Sequence, residues 1–333
     1  MQAVLVFALS RPVLPLLVAV GALSALALGY LGVVSAVFDL FAQFTAHWLI
    51  IALIAVAASF SARYAYAILA SGVVLACLLP VSLTNWYGAQ RTTSSAQAAH
   101  LMPADKNGAI GRTNSAFQFK LLTYNTYNFN VDLAAIYAEI QRHDADVIVL
   151  IELGPNKAKL RRRLAAEYPY FKTCEQNWNC AIGLFSRLPV RHFQVVDVHD
   201  DAGPALISAE VEIGSSCVTV VGAHALSPNH GPRANYVELN HLAQRVRQYR
   251  GPVLLAGDLN TTIWANVFDN FRRKSGLKHM GHLIPTWPTK PLPLPQLGID
   301  HIFASPDLEL YGVAVGRPAG SDHLPLVATV RSR

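Results

Sequence analysis

Hydrophobic residues are distributed unevenly along the chain and separate an N-terminal third from the rest. Three stretches contain no charged residue: 12–38, 40–60 and 64–86. A bilayer core needs about 20 consecutive apolar residues per helix, so the pattern predicts a bundle of three transmembrane helices within residues 1–87. Two spans are the alternative, because the second stretch contains polar residues. A cleaved signal peptide would have an apolar core of only about 7–15 residues, without two further stretches behind it.

The few charges in this third predict its orientation. Arg11 and Arg63 fall on one side of the predicted membrane, and Asp39 falls on the other. Basic residues favour the cytoplasmic side. We therefore expect a multi-pass protein of the cell (inner) membrane, with residues 87 onward outside the cytoplasm, in the periplasm.

The remainder of the chain has the mixed pattern of an α/β domain at 117–333. Before it, residues 88–116 are rich in small and polar side chains and predict a flexible linker. Alternating or fully apolar runs predict strands at 117–124, 147–152, 181–186, 191–198, 205–213, 217–224, 252–256, 298–304, 308–315 and 325–330. Helical periodicity is found at 131–142, 157–168, 235–249 and 263–274. This order predicts two packed sheets with helices on their outer faces.

Composition narrows the classes of function. The chain is 52% hydrophobic and 14% charged, with a formal net charge of +6. The basic excess beyond residue 100 is small, which argues against a nucleic-acid-binding surface but suits anionic substrates. Cys174 and Cys180 flank a short polar stretch, and either a disulfide, which requires an oxidising compartment, or two free thiols fits the sequence.

Polar side chains recur at the ends of the predicted strands, where catalytic groups are usually held. Two motifs stand out, Gly257-Asp258-Leu259-Asn260 and Ser321-Asp322-His323. The complete set is Asn125, Glu152, His224, Asp258, Asn260, Asp300, Asp322 and His323. Carboxylates of this kind are oxygen ligands for Mg²⁺, and an Asp–His pair suits proton transfer. Strand alternation directs His301 to the opposite face from Asp300, and we exclude it from the site.

The order of these residues resembles that of the endonuclease/exonuclease/phosphatase superfamily of metal-dependent phosphoesterases, including its membrane-anchored bacterial members. The resemblance covers about 117–330 and implies a four-layer α/β/β/α sandwich. It also implies Mg²⁺ or Mn²⁺ as the cofactor, with Asn125, Glu152 and Asp322 as the metal-binding residues. Whether one or two ions bind is left open.

The catalytic residues that we predict are His224, Asp258, Asn260, Asp300 and His323. Asp258 would polarise the attacking water, and Asn260 would fix the nucleophile or a phosphoryl oxygen. His323 needs a carboxylate to set its tautomer, and the resemblance implies that Asp300 is that partner. His224 would stabilise a phosphoryl oxygen or assist the leaving group.

The predicted function is hydrolysis of phosphodiester or phosphomonoester bonds by a membrane-anchored enzyme outside the cytoplasm. The expected partners are the lipid bilayer and a phosphate-containing substrate: a lipid headgroup, a small phosphoester or nucleic acid. Short spacings, 34 residues from His224 to Asp258 and 42 from Asp258 to Asp300, leave little room for loops that grip a duplex. The alternatives are an extracytoplasmic nuclease and a catalytically idle, membrane-tethered binding module.

Overall fold

The computed structural model describes residues 13–60, 117–174, 180–196, 205–281, 283–291 and 297–333. The chain divides into two compact units. One comprises residues 1–105 with 264–266, and the other comprises the remaining residues. The two units are described separately.

The N-terminal unit is helical. Helix α1 spans Val13–Tyr30 and continues as a 3₁₀ turn through Leu31–Val33. The Ser35 side chain then accepts a hydrogen bond from the Val37 amide and begins α2, Ala36–Gln43. Helix α3 follows as Thr45–Phe60. The charge-free stretch 12–38 is therefore not one helix, because the capping serine begins a new one. Hydropathy reflects side-chain polarity and does not detect such a break in the backbone.

The predicted bundle of three transmembrane helices is not confirmed. In the described residues, no single helix combines the length and apolar character needed to cross a bilayer. Ala36–Gln43 and Thr45–Ala58, which are bent by 60° relative to each other, meet that requirement only as a pair. The predicted third span, 64–86, and the linker, 88–116, lie outside the described residues.

The second unit contains two six-stranded sheets. The first sheet has the order β11-β12-β1-β2-β4-β3. Its strands are β1 (Gln118–Asn125), β2 (Val147–Ile151), β3 (Tyr170–Cys174), β4 (Ile182–Ser186), β11 (Leu308–Val315) and β12 (Leu326–Ser332). The second sheet has the order β5-β6-β7-β8-β10-β9. Its strands are β5 (Val190–Val196), β6 (Ala205–Ile213), β7 (Ser216–His224), β8 (Val253–Asp258), β9 (Lys278–His279) and β10 (Asp300–Ala304).

Side-chain alternation packs the sheets face to face and leaves their outer faces for helices. In β1, Phe119 and Leu121 belong to the core between the sheets, whereas Leu122 and Tyr124 belong to a second core on the other face. That second core includes residues of α4 (Leu133–His143) and α5 (Ala158–Ala165).

Helices also cover the second sheet, which completes the α/β/β/α order. Phe271 of α7 (Asn266–Ser275) meets Phe303 of β10 with ring centroids 5.1 Å apart. Helix α6, Pro232–Val246, connects β7 to β8. The two-sheet α/β architecture predicted from the sequence is therefore confirmed.

The two cysteines left open by the sequence form a disulfide. Cys174 ends β3, and its partner Cys180 lies just before β4. Both belong to the core between the sheets. The bond closes the connection between two antiparallel neighbouring strands.

Candidate active site

Strand register aligns three of the predicted residues in one row across the second sheet. Parallel pairing of β7 with β8 places His224 beside Asp258. Antiparallel pairing of β8 with β10 places Asp300 on the other side of Asp258. The row lies at the carboxyl end of β8, which is an edge where polar side chains can converge.

The first sheet directs its polar residues to one edge in a similar way. Asn125 ends β1, and Glu152 directly follows the parallel neighbour β2. Strand β12 runs antiparallel to β1, so Asp322 and His323, which precede it, lie near the same edge. The structure therefore delivers the predicted residues from six separate strand ends.

The Asn125 amide joins the two sheets. Its Nδ2 donates to Glu152 Oε1 at 3.1 Å and to Asp258 Oδ2 at 3.0 Å. Its Oδ1 accepts from the Tyr127 backbone amide at 3.0 Å. Asn125, which we predicted as a metal-binding residue, therefore orients two carboxylates through a single buried amide.

Glycine at position 257 allows β8 to approach β7 closely. Gly257 has φ +147°, and a Cβ there would lie 2.0 Å from the Ala223 carbonyl oxygen. Ala223 directly precedes His224, and Gly257 directly precedes Asp258. Any larger residue would strain the backbone and force apart the strands that carry this pair.

Asp258 is a buried carboxylate whose two oxygens are both held. Oδ1 accepts from the Asn260 amide at 2.9 Å, and Oδ2 accepts from Asn125. Burial and the negative charge of Asp300 raise the pKa of Asp258 to about 6, while His323, His224 and the Asn125 bond oppose the rise. A carboxylate of this kind is ionised at neutral pH and is basic enough to accept a proton.

His323 is held by Asp300 as the resemblance implied. Its Nδ1 hydrogen-bonds Asp300 Oδ2 at 2.8 Å, and that oxygen also accepts from Thr286 Oγ1 at 2.6 Å. Burial opposes the cation, but Asp300 outweighs it with help from Asp258, and the pKa of His323 rises to about 10. This raised pKa favours the imidazolium form of His323 at neutral pH, and its Nε2 atom lies 3.8 Å from Asp258 Oδ2.

Two imidazoles flank the same carboxylate oxygen. His323 Nε2 lies 3.8 Å from Asp258 Oδ2, and His224 Nε2 lies 3.9 Å from it. The structure thus brings together four of the predicted catalytic residues, His224, Asp258, Asp300 and His323. Asn260, the fifth, adjoins them through its bond to Asp258 and donates Nδ2 to the Ala225 carbonyl at 2.9 Å.

Glu152 occupies a pinned loop beside Asn125. It has φ +57°, in the left-handed region, and its Oε2 accepts from the Asn128 amide at 2.6 Å. The buried Lys157 fixes the same loop by donating Nζ to the Tyr127 carbonyl at 2.9 Å. Burial lowers the pKa of Lys157 to about 8, against the opposing charge of Glu152.

Asp322 is held by the indole of Trp287 and not by Asn125 or Glu152. Trp287 Nε1 donates to Asp322 Oδ2 at 3.0 Å, and the Trp287 ring centroid lies 6.3 Å from that of His323. The other oxygen, Asp322 Oδ1, is buried with no hydrogen-bond partner among the described residues. The buried Asn128 Oδ1 likewise has none. Buried oxygens without donors suit a cation, so the residues present fit a hard divalent metal ion.

Among the described residues, one cluster of side chains is close enough to hold a cation. The ligand atoms of Asp258, Asp300 and His323 lie within 4.8 Å of one another. In this arrangement Asp300 accepts a hydrogen bond from His323, and the raised pKa of His323 favours the protonated imidazole, which is not a metal ligand. Glu152 and Asp322 offer carboxylate oxygens, which are the type of ligand that Mg²⁺ prefers.

Several residues that support the site were not predicted. Ser321 donates Oγ to the Asn125 carbonyl at 2.7 Å and accepts from the His323 amide at 3.0 Å. Thr286, in the loop before β10, supports Asp300 through the hydrogen bond from its Oγ1. His301 bonds the Thr261 carbonyl at 2.7 Å, away from the Asp300–His323 pair.

Helix α6 fixes the loops that follow β7 and β8. Glu238 accepts from the Leu226 amide at 2.7 Å, and Asn235 donates to the Leu226 carbonyl at 2.6 Å. The same Asn235 amide reaches the Leu259 carbonyl at 3.3 Å. These two side chains therefore hold the segments that carry His224 and Asp258. Nothing in their local sequence indicates this role.

Comparison with known proteins agrees with this architecture. The family model described as "Endonuclease/Exonuclease/phosphatase family" matches residues 122–323. No curated protein sequence matches the chain. Among solved structures, humanized D. rerio TDP2 is 16% identical with a TM-score of 0.53, covering 64% of this chain and 98% of its own.

Two bacterial structures are similar to the same extent. Sphingomyelinase C from Streptomyces griseocarneus is 17% identical with a TM-score of 0.50, covering 64% of this chain and 99% of its own. A family protein from Bacteroides thetaiotaomicron is 15% identical with a TM-score of 0.54, covering 66% and 97%. At these identities the likeness concerns the fold alone. On the family match across residues 122–323, the chain belongs to the endonuclease/exonuclease/phosphatase family, whose members hydrolyse phosphoester bonds.

Proposed function

We propose that the protein is a membrane-anchored, divalent-metal-dependent phosphoesterase that hydrolyses phosphodiester or phosphomonoester bonds outside the cytoplasm. The observation that carries this proposal is the buried Asp258 carboxylate between two imidazoles, with Asp300 holding one of them protonated. A base and an acid are thereby fixed within about 4 Å of each other. That pairing suits a reaction in which one oxygen loses a proton while another gains negative charge.

The proposed reaction is in-line displacement at phosphorus by water. Asp258 Oδ2 accepts the water proton as the new phosphorus–oxygen bond forms and the bond to the leaving oxygen breaks. The hydrogen bonds from Asn125 and Asn260 keep the carboxylate oriented for this transfer. A carboxylate with a pKa of about 6 performs this role at neutral pH.

The imidazoles stabilise the charge that develops on the phosphoryl group. His323 presents its Nε2 proton, and Asp300 compensates the imidazolium throughout the reaction. His224, partly exposed beside Asp258, is placed to contact a second phosphoryl oxygen or the leaving oxygen. Fixed donors of this kind, preorganised in a buried site, contribute more than they would in water.

The metal-binding residues that we propose are Glu152 and Asp322, with Asn125 orienting the first. Bound there, Mg²⁺ or Mn²⁺ would supply electrostatic stabilisation of the phosphoryl oxygens. The Asn128 amide and the Trp287 indole each fix one ligand carboxylate. Such supporting bonds set the affinity of a metal site as well as its geometry.

One observation supports the membrane anchor, and another supports the extracytoplasmic location. Residues 13–60 contain a single charged residue, Asp39. The Cys174–Cys180 disulfide favours an oxidising compartment. A reporter fused after Gln90 tests the orientation: a reporter that is active only after export should be active there, and a reporter that is active only in the cytoplasm should not.

The activity is tested with the full chain in detergent. The substrates are bis-p-nitrophenyl phosphate, p-nitrophenyl phosphate, plasmid DNA and a phospholipid panel, each with Mg²⁺ and with EDTA. We expect metal-dependent turnover that is lost in Asp258→Asn and His323→Ala. It should be retained in Asp307→Asn, which changes an exposed carboxylate between β10 and β11.

The outcomes separate the alternatives. Preference for plasmid DNA, with binding that weakens steeply as salt is added, would favour a nuclease. Turnover that survives EDTA, or that persists in both active-site variants, would overturn the proposed mechanism. Absence of turnover on every substrate, with the protein folded, would favour a binding module.

A further inference from the structure

The loop after β1 exposes two large hydrophobic side chains next to the site. Phe129 is 79% exposed and Val131 is 86% exposed, more than any other large hydrophobic residue described in 117–333. They follow Asn125 by four and six residues. Single exposed hydrophobic residues are ordinary on a protein surface, so the location of these two is what requires an explanation.

Their exposure is not the result of a loose loop. The Tyr127 amide donates to Asn125, the Tyr127 carbonyl accepts from the buried Lys157, and the Asn128 amide donates to Glu152. The Tyr127 ring meets the Phe129 ring edge-on with centroids 5.6 Å apart. A loop pinned on both its backbone and its aromatic side therefore holds Phe129 out in solvent, which costs free energy unless another surface covers it.

A cation adjoins this aromatic pair. Lys290 Nζ lies 5.3 Å from the centroid of the Tyr127 ring. Lys290 is three residues after Trp287, whose ring contacts His323. Lys290 therefore connects the Tyr127–Phe129 pair to the loop whose Trp287 reaches His323. We call Phe129, Val131, Lys290 and Leu226 the rim.

Leu226 extends the rim on the second sheet. It is 44% exposed and lies two residues after His224. Glu238 holds its amide and Asn235 holds its carbonyl, so its position is as fixed as that of Phe129. Hydrophobic side chains therefore project beside both halves of the site, one group beside Asn125 and the other beside His224.

The chemistry of the rim fits a lipid interface better than nucleic acid. Of the three hydrophobic rim residues, only Phe129 has a flat face on which a base could stack, and the valine and the leucine have none. The exposed Lys and Arg residues described in the loops around the site and the first turn of α6 are Arg233, Lys290 and Arg317. Apolar side chains with a few cations match the boundary between acyl chains and anionic headgroups.

We propose that the rim inserts into the interfacial layer of a phospholipid bilayer and that the substrate is an amphiphilic phosphoester of that layer, its phosphate entering the site from the headgroup region. This inference rests on the proposed phosphoesterase function and specifies its substrate class. Both the proposed membrane anchor and the rim would contact phospholipid. The proposal requires no contact between the two units of the chain.

The substrate half of the proposal is tested with the full chain in nanodiscs of phosphatidylcholine and phosphatidylglycerol. The variant is Phe129→Ser/Val131→Ser. Its matched control is Tyr311→Ser/Val315→Ser, two residues of β11 that are 51% and 41% exposed. Since burial of one such side chain corresponds to roughly tenfold in affinity or more, lipid turnover should fall at least about tenfold, while bis-p-nitrophenyl phosphate turnover stays within about twofold. The control should change neither rate.

The membrane half is tested by a polarity-sensitive fluorophore on Phe129→Cys or Tyr311→Cys, with Cys77 and Cys217 replaced by alanine. Emission from position 129 should shift to the blue and be quenched by brominated lipids, and emission from position 311 should not. The proposal is overturned if position 129 stays in water. It is also overturned if the serine variant lowers both rates equally, which indicates a structural role, or lowers oligonucleotide turnover selectively, which indicates base contact.

Failure of the proposed function has a different signature. If the wild-type chain hydrolyses none of the substrates, the substrate half is overturned together with the phosphoesterase proposal. The label at position 129 still decides, independently of turnover, whether the rim enters the bilayer.

Discussion

Replacing Asp300 by asparagine tests the acid–base arrangement most directly, because it removes one charge and keeps the shape. The Asp300 carboxylate is buried, and its Oδ2 serves both His323 Nδ1 and Thr286 Oγ1. An asparagine oxygen can still accept these two hydrogen bonds. What disappears is the negative charge that compensates the His323 imidazolium.

The magnitude follows from the protonation of His323. Burial opposes the cation, and the Asp300 carboxylate is the main group that raises the pKa of His323 to about 10. Even if the variant histidine returned only to an unperturbed pKa of about 6.5, about a tenth of it would be protonated at pH 7.5. Because burial then acts with less opposition, we expect kcat at pH 7.5 to fall at least about tenfold.

The pH dependence of the rate shows the direction in which the pKa of His323 changes. The wild type needs Asp258 ionised and His323 protonated, so its rate should rise through a pH of about 6 and fall near 10. In Asp300→Asn the alkaline fall should move to near or below neutral pH. The stability that His323 gains from its raised pKa is present in full below about 6.5 and is lost as pH rises through about 10. This pH-dependent stability should disappear in the variant.

The assay is kcat from pH 5 to 10.5 on whichever soluble phosphoester is turned over, with circular dichroism to verify folding. Asp307→Asn is the control, because it removes one exposed carboxylate near the same strand. An Asp300→Asn enzyme whose alkaline limb stays near the wild-type position would refute the assignment of His323 as an imidazolium held by Asp300.

Three further predictions concern the metal, the loop supports and the disulfide. Glu152→Gln should raise the Mg²⁺ concentration for half-maximal activity and for half-maximal thermal stabilisation by at least about tenfold; unchanged values would exclude Glu152 as a ligand. Asn235→Ala should lower kcat about tenfold on soluble substrate with little change in KM, because it frees two carbonyls that fix the catalytic loops. The exposed control Asn229→Ala should not lower kcat, and a rise in KM as large as the fall in kcat would indicate a binding role for Asn235. Cys174→Ser/Cys180→Ser should lower the free energy of unfolding by about 2 kcal/mol in urea titrations, as expected for so short a closed loop. Reductant should destabilise only the wild type, and equal stability of the two proteins would show that the disulfide contributes nothing.

Every strand of the two sheets except β3 and β9 was predicted from the sequence. Strands such as β2 and β8 are continuous apolar runs, which few other structures produce. Strand β3 exposes three of its five residues, and β9 has only two residues, so neither has a hydrophobic pattern to detect. The pairing order was not predictable either, because it depends on contacts between distant segments.

The residues that converge at the candidate site could be predicted because each lies at or directly beside a strand end, a position that the local sequence pattern indicates. The residues that hold these side chains in place could not be predicted from the local sequence. Thr286 and Asn235 act on Asp300 and on the catalytic loops only after the chain has folded. In the N-terminal unit a predicted span was too long. The absence of charged residues extended it through Ser35, where one helical segment has ended and the next is capped.

The position of Asn125 explains why this site needs both sheets in register. Its amide is the direct bond between Glu152, which follows a strand of the first sheet, and Asp258, which ends a strand of the second. The proposed metal-binding side and the proposed proton-accepting side of the site are therefore separated by a single side chain of fixed length. A displacement of one sheet past the other by about 1 Å would break at least one of these bonds, and misplacement on that scale is enough to cost about a hundredfold in rate. The apolar core between the sheets thus has a catalytic consequence, because its packing sets the distance across which Asn125 must reach.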